Sequence, residues 1–397
     1  MSQPILTVPA MTTTAAQRRT LRRAFRFVLN QFLLLPFGAA IALIWANTEG
    51  EGYFRFAGAW TWPVNEIGMA IFLALIAQEV FEAVMPGGAL GHWRYWVMPA
   101  AGAVGGLLGA AAAFSAVVTL RHEMALAVAW PVGCAIDLAA AYYVLRLIYP
   151  RRSSVVGLVL VLAVITDAIV MVVVTLTAPD FRFHPVGGAV LLAALAGAAA
   201  LRWMKVQSFW PYWIVCGTLS WLSFYWMGIH PALALVPIVP LLPHDPRRRN
   251  VFDDRTDNNP IHHAEHEWNG VAQVALFLFG LVNAGVILKH YDTGTWAVLT
   301  AALVGRPLGV LGGIGLAAVA GLRLPRHTTW RDMLVMALAT TSGFTFALFV
   351  TAAILPIGAV LGQITLGALS TVAGIVVTFV VARVLGVGRF AERRKAA

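Results

Sequence analysis

The sequence predicts an all-α membrane protein of twelve transmembrane helices, and three observations carry that prediction. Hydrophobic residues make up 59% of the chain against 12% charged, with a mean hydropathy of +0.77, a composition solvated by lipid rather than water. Apolar windows of about 20 residues, the length of a helix across a bilayer, recur along the whole chain between short polar turns. The basic residues then fall on one side: with the N-terminus inside, every one of the 28 Lys and Arg is cytoplasmic except Arg55, Arg121, Arg182, Lys289 and Arg306.

An Arg-rich cytoplasmic segment occupies 1–26, the twelve-helix membrane domain 27–388 and a basic cytoplasmic tail 389–397. The first span, 27–46, is long enough to cross and lacks a small-x-small cleavage site, so it is a helix rather than a cleaved leader. Further spans cover 64–85, 95–118, 124–145, 155–177, 185–203, 209–226 and 228–243. The last four are 268–288, 295–320, 331–354 and 361–385. A pI near 10.2 reports orientation and contact with anionic lipid, because the charge is scattered over many loops and no nucleic-acid-binding element is present. Cys134 and Cys216 sit within spans and read as packing residues, not as a disulfide or zinc framework.

Charge at bilayer depth is costly, so each charged residue there is a functional candidate. Glu66, Glu79, Glu82, Asp137, Asp167 and Arg306 qualify, while Arg146 lies close enough to a cytoplasmic end to snorkel. Asp137 follows Trp130-Pro131-Val132-Gly133, where proline removes an amide donor and glycine weakens the helix mid-span. An unwound segment there frees carbonyls and helix ends that can coordinate a cation, with Asp137 balancing their partial charges. The bland alternative is a packing kink with a solvated carboxylate.

Asp167, in Ile165-Thr166-Asp167, lies near the middle of the fifth span with no basic neighbour in sequence. A carboxylate so placed can hold a proton or a cation, the minimal chemistry of exchange; the alternative is a protonated packing residue. Arg306, in Gly305-Arg306-Pro307, keeps its charge and needs a carboxylate or broken-helix carbonyls, with Asp137 or Asp167 the natural partner. A second break is predicted at Thr340-Thr341-Ser342-Gly343-Phe344-Thr345-Phe346, where hydroxyls can replace lost backbone hydrogen bonds.

Taken in order, these residues resemble the NhaA family of Na+/H+ antiporters from about residue 25 to about residue 388. The likeness runs through Trp45-Ala46-Asn47, Trp62-Pro63-Val64-Asn65-Glu66, Ala135-Ile136-Asp137-Leu138-Ala139 and Ile165-Thr166-Asp167. It continues through Gly228-Ile229-His230-Pro231, Val282-Asn283-Ala284-Gly285-Val286, Gly305-Arg306-Pro307-Leu308-Gly309 and Gly343-Phe344-Thr345. The resemblance implies two inverted repeats, crossed discontinuous spans four and eleven, and a cation site reached from a cytoplasmic funnel. It places Asp167 on the essential ion-binding Asp and Asp137 on the Asp beside the broken fourth span. Together with Thr166 and Arg306 these form the expected ion-binding and proton-coupling set, with Asp167 and Asp137 the Na+ ligands. His230, His263, His266 and Glu79 fall on positions tied to pH response.

Three positions depart from the family: Thr166 stands where a second Asp is usual, Arg306 where a Lys is usual, and Ile136 where a hydroxyl residue is usual. Two proton-carrying groups of electrogenic exchange are thereby missing. The resemblance implies a Na+ or Li+/proton antiporter of the bacterial inner membrane, electroneutral, working by alternating access, with proton and cation competing for Asp167. No catalytic residue and no cofactor is expected, and the partners are the two cargo ions and lipid. A homodimer is possible, although the loop 48–61 is too short for the family's β-hairpin contact. The alternatives are a transporter of this fold for K+ or another ion and an intramembrane aspartyl protease, whose two Asp residues would share a proton. His262 and His266 lie one helical turn apart and could hold a metal, but a pH-responsive or solvated helix entry is favoured.

Overall fold

The computed structural model describes the chain over 34–84, 93–150, 153–177, 184–206, 208, 210–242, 260–322, 324, 328–356 and 358–391. All regular structure among these residues is helical. In chain order the first eight helices are α1 (Leu34–Thr48), α2 (Gly50–Pro63), α3 (Met69–Val84), α4 (Trp93–Leu120), α5 (Trp130–Cys134), α6 (Leu138–Ile148), α7 (Ser154–Thr177) and α8 (Pro185–Trp203). They are followed by α9 (Thr218–Trp226), α10 (Pro260–Asn283), α11 (Thr293–Thr300), α12 (Arg306–Val319), α13 (Trp330–Ala339), α14 (Phe344–Ile354), α15 (Ala359–Ser370) and α16 (Ala373–Leu385). Among the described residues, 5 stretches are long and apolar enough to cross a bilayer, or 7 if two bent pairs each count as one span.

Two sequence expectations are corrected. The predicted loop over 48–61 is largely helical, because α2 runs through a π turn at Val64–Gly68 into α3. Tertiary anchoring outweighs the poor helix propensity of its glycines: the buried Tyr53 hydroxyl donates to carbonyls at the end of α10, and Tyr53 and Phe56 pack on Trp45. The predicted span 228–243 is not a continuous helix over its described part. Pro231, Pro237 and Pro240 cannot donate to a helical ladder, so the segment becomes turns with short 3-10 helices at Pro231–Leu233 and Val239–Leu241.

The helices sort into two packed groups. One holds α1, α2, α3, α8, α9, α10 and the irregular segment before α10; the other holds α4 to α7 and α11 to α16, and α3 lies against α7 between them. The closest packing in the second group is α4 on α12. A Cβ on Gly105 would strike the Gly309 carbonyl oxygen, and one on Gly309 that of Gly105, so only glycine lets these backbones touch. α11 continues through a π turn, Ala301–Gly305, into α12, the wider turn falling just before Pro307, which has no amide to donate. Arg306 is therefore carried at the start of α12, against α4.

Candidate functional site

Two spans are broken. The stretch Met124–Cys134 meets α6 at 49°, and α13 meets α14 at 47°. In the first, Pro131 opens the short α5 and the backbone is extended at Ala135 and Asp137. In the second, the Thr340 and Thr341 hydroxyls donate to Ala337 O and Leu338 O at 2.7 Å each, adding to the bonds that the same carbonyls accept from the Thr340 and Thr341 amides where α13 ends. The breaks meet directly: the Asp137 amide donates to Ser342 O at 2.8 Å. Gly343 lies so close to the Ala135 carbonyl that a Cβ would collide with it.

Four helix ends converge at this junction, each with a partial charge that its own helix leaves unbalanced. Asp137 caps α6, its Oδ1 accepting from the Ala140 amide at 3.0 Å, and its Oδ2 accepts from the Thr345 hydroxyl in the first turn of α14 at 2.6 Å. One carboxylate thus serves two positive helix starts. The Arg306 guanidinium donates through Nη2 to Gly133 O near the end of α5 and through Nη1 to Thr340 O after α13. One cation thus serves two negative helix ends. Of the partners expected for Arg306, the broken-helix carbonyls take its hydrogen bonds.

Asp167 and Thr166, each 2% exposed, lie on α7, which packs against α5, α13 and α14. The Thr166 hydroxyl donates to Leu162 O at 2.9 Å, so its oxygen keeps acceptor capacity. His230 caps the 3-10 turn after it, accepting from the Ala232 amide through Nδ1, and its ring meets Phe349 of α14 at 5.7 Å between centroids. Glu79 is on α3, and His262, His263 and His266 are on α10; their side chains lie outside the described residues.

Sequence reasoning did not single out Thr345 as the partner of Asp137; its position in the first turn after the Gly343 break was the available signal. It also missed a second link between the broken spans. The Tyr149 hydroxyl, beyond the end of α6, donates to Asp332 Oδ1 at 2.8 Å, and Asp332 forms a capping box with Thr329 at the start of α13. Burial, and then the bond and charge of Asp332, push the Tyr149 phenol above its usual range.

The sequence matches the family Na+/H+ antiporter 1 over residues 27–389. It is 35% identical over 380 residues to the Na(+)/H(+) antiporter NhaA of Desulfitobacterium hafniense, covering 93% of this chain and 97% of that one. It is 39% identical over 336 residues to Na(+)/H(+) antiporter NhaA 2 of Pelobacter propionicus, covering 81% and 88%. The fold is similar to that of the sodium proton antiporter MjNhaP1 from Methanocaldococcus jannaschii at pH 8, with a TM-score of 0.55 at 14% identity over 91% of both chains. These relatives are transporters, and the aspartyl protease alternative falls. A chain matched from its first apolar run to its last is a multi-pass membrane protein that belongs to the Na+/H+ antiporter 1 family.

Proposed function

We propose that this protein exchanges one proton for one Na+ or Li+, the two competing for Asp167. The carrying observation is that Asp167 is buried beside the Thr166 hydroxyl on the helix packed against both breaks, where Asp137 and Arg306 are held in structural roles: both Asp137 oxygens accept from groups at helix starts, and both Arg306 Nη atoms donate to helix ends. Releasing either would leave buried backbone or side-chain groups unpaired, at roughly 1–3 kcal/mol each. Asp167, 2% exposed, lies on α7, the helix that packs against both breaks. Two carboxylates and one guanidinium leave a single negative charge, which one proton or one monovalent cation balances. The Thr166 oxygen offers the cation a neutral ligand, and Asp137 shapes the site as its fixed counter-charge.

Exchange of this kind is electroneutral, and the names of the relatives support the cargo. The wider arrangement we propose has twelve spans in two inverted repeats, spans four and eleven crossed at their breaks, in the bacterial inner membrane with both termini cytoplasmic. The two similar bends and the one-sided distribution of basic residues support it. His230, seated against α14, acts with His263, His266 and Glu79 in the response to pH. Any homodimer uses a contact other than a β-hairpin over 48–61, where α2 stands. No cofactor takes part.

The test is reconstitution in liposomes with a trapped pH dye and an imposed proton gradient, adding Na+, Li+ or K+ with and without a valinomycin clamp. Dequenching by Na+ or Li+ that is indifferent to the clamp and absent in Asp167→Asn is the expected result. A voltage-dependent initial rate would overturn the electroneutral reading. A response to K+ alone would assign the chain to the alternative cargo, consistent with Thr166 beside the single carboxylate.

A further inference from the structure

The hydroxyls around the junction have assigned partners, with one exception. Thr340 and Thr341 donate to Ala337 O and Leu338 O, Thr345 donates to Asp137, and Thr371 donates to Ala368 O while accepting from the Gly343 amide. Ser342 is 1% exposed, and its Oγ has no hydrogen-bond partner among the described residues. A buried hydroxyl left unpaired costs on the order of 1–3 kcal/mol, so its position calls for an occupant.

The surroundings indicate which occupant. Ser342 sits on unwound backbone, its carbonyl holds the Asp137 amide, and the next residue, Gly343, lies against the Arg306 guanidinium. Irregular backbone at membrane depth is tolerated where it is buried in protein or lines an ion path, and unwound segments of broken helices are where transporters coordinate cations. A hydroxyl oxygen has two lone pairs, so it can coordinate a hard monovalent cation without adding charge. The site already balances one such cation, and an uncharged ligand adds coordination without attracting a second.

We propose that Ser342 Oγ is a ligand to the transported cation, a neutral oxygen supplied by the second broken span to complement Asp167. This rests on the exchange reading above. The test compares wild type, Ser342→Ala, Ser342→Gly and Ser342→Thr in proteoliposomes for half-saturating Na+ and Li+ and for maximal rate. The Na+ dependence of thermal unfolding in detergent gives a second readout that does not require transport.

Loss of the hydroxyl in Ala and Gly is expected to raise half-saturating Na+ roughly tenfold in both assays, with the ion-free unfolding temperature of Ala no lower than wild type. Thr is expected to stay within about threefold of wild type. Unchanged half-saturation in Ala and Gly would overturn the proposal and assign the hydroxyl to a bound water. A fall in unfolding temperature and maximal rate at constant half-saturation would likewise overturn it, in favour of a packing role. Absence of any Na+ response in wild type by either assay would remove the exchange reading and this one together, whereas a responding wild type with indifferent variants removes this one alone.

Discussion

The first broken span carries an anion, Asp137, at its break and unwinds where Pro131 and Gly133 weaken the helix; the second has neither charge nor proline at its break, Thr340–Gly343, where hydroxyls donate to its own carbonyls. Their bends nevertheless differ by little, 49° against 47°. Part of the second break's chemistry comes from its neighbours: Arg306 from α12 donates to its carbonyl end and Asp137 from the first break accepts from the Thr345 hydroxyl at the start of α14. A break in a membrane helix can therefore be borrowed, with one span supplying the charge and the other the close-fitting backbone.

Substitutions at four positions sharpen or break this comparison. Asp167→Asn has the largest effect on transport: proton efflux driven by Na+ or Li+ falls below detection in the liposome assay, while unfolding in detergent changes less than for any loss at Arg306. Arg306→Gln leaves carbonyls of both breaks short of a charged donor and is expected to lower stability by about 3–5 kcal/mol, read as a fall in unfolding temperature. Arg306→Lys keeps the charge but loses the planar fork that reaches both carbonyls, and recovers only part of that loss.

Thr345→Val removes the hydroxyl that the first break's anion draws from the second, at about 1.5–3 kcal/mol, and Thr345→Ser restores it; equal stability of the two variants would show that the breaks do not share Asp137. Tyr149→Phe, at the far ends of the same spans, is expected to cost only about 1 kcal/mol. Because burial and Asp332 raise the folded phenol's pKa, the Tyr149 contribution is present below the unfolded value near 10 and is lost as pH rises above it. Wild type and Tyr149→Phe should therefore converge in unfolding temperature above about pH 10.

Much of this architecture was legible in the chain. Hydropathy and the side on which the basic residues fall mark the apolar spans, and the Pro131, Gly133 and Asp137 sequence marks the first break, since each residue acts on its own backbone. The second break was fainter because Thr and Gly are ordinary in membrane helices and acquire meaning here from what lies opposite. Arg306 was legible as a residue needing partners, yet the carbonyls that claim it are 173 and 34 residues away. Thr345 and Asp137 are likewise 208 residues apart. The helix over most of 48–61 was hidden because Tyr53 is anchored at carbonyls more than two hundred residues on, and 228–243 was misread because its apolar content outweighed its prolines.

The bare backbone contact between α4 and α12 has a mechanical consequence. Two helices separated by side chains can slide as rotamers exchange, but where Gly105 and Gly309 touch through main-chain atoms there is nothing soft to yield. That pair is a stiff beam, and Arg306 is bolted to it. Any rocking that alternates exposure between the two membrane faces would carry that beam, and Arg306 with it, as a whole.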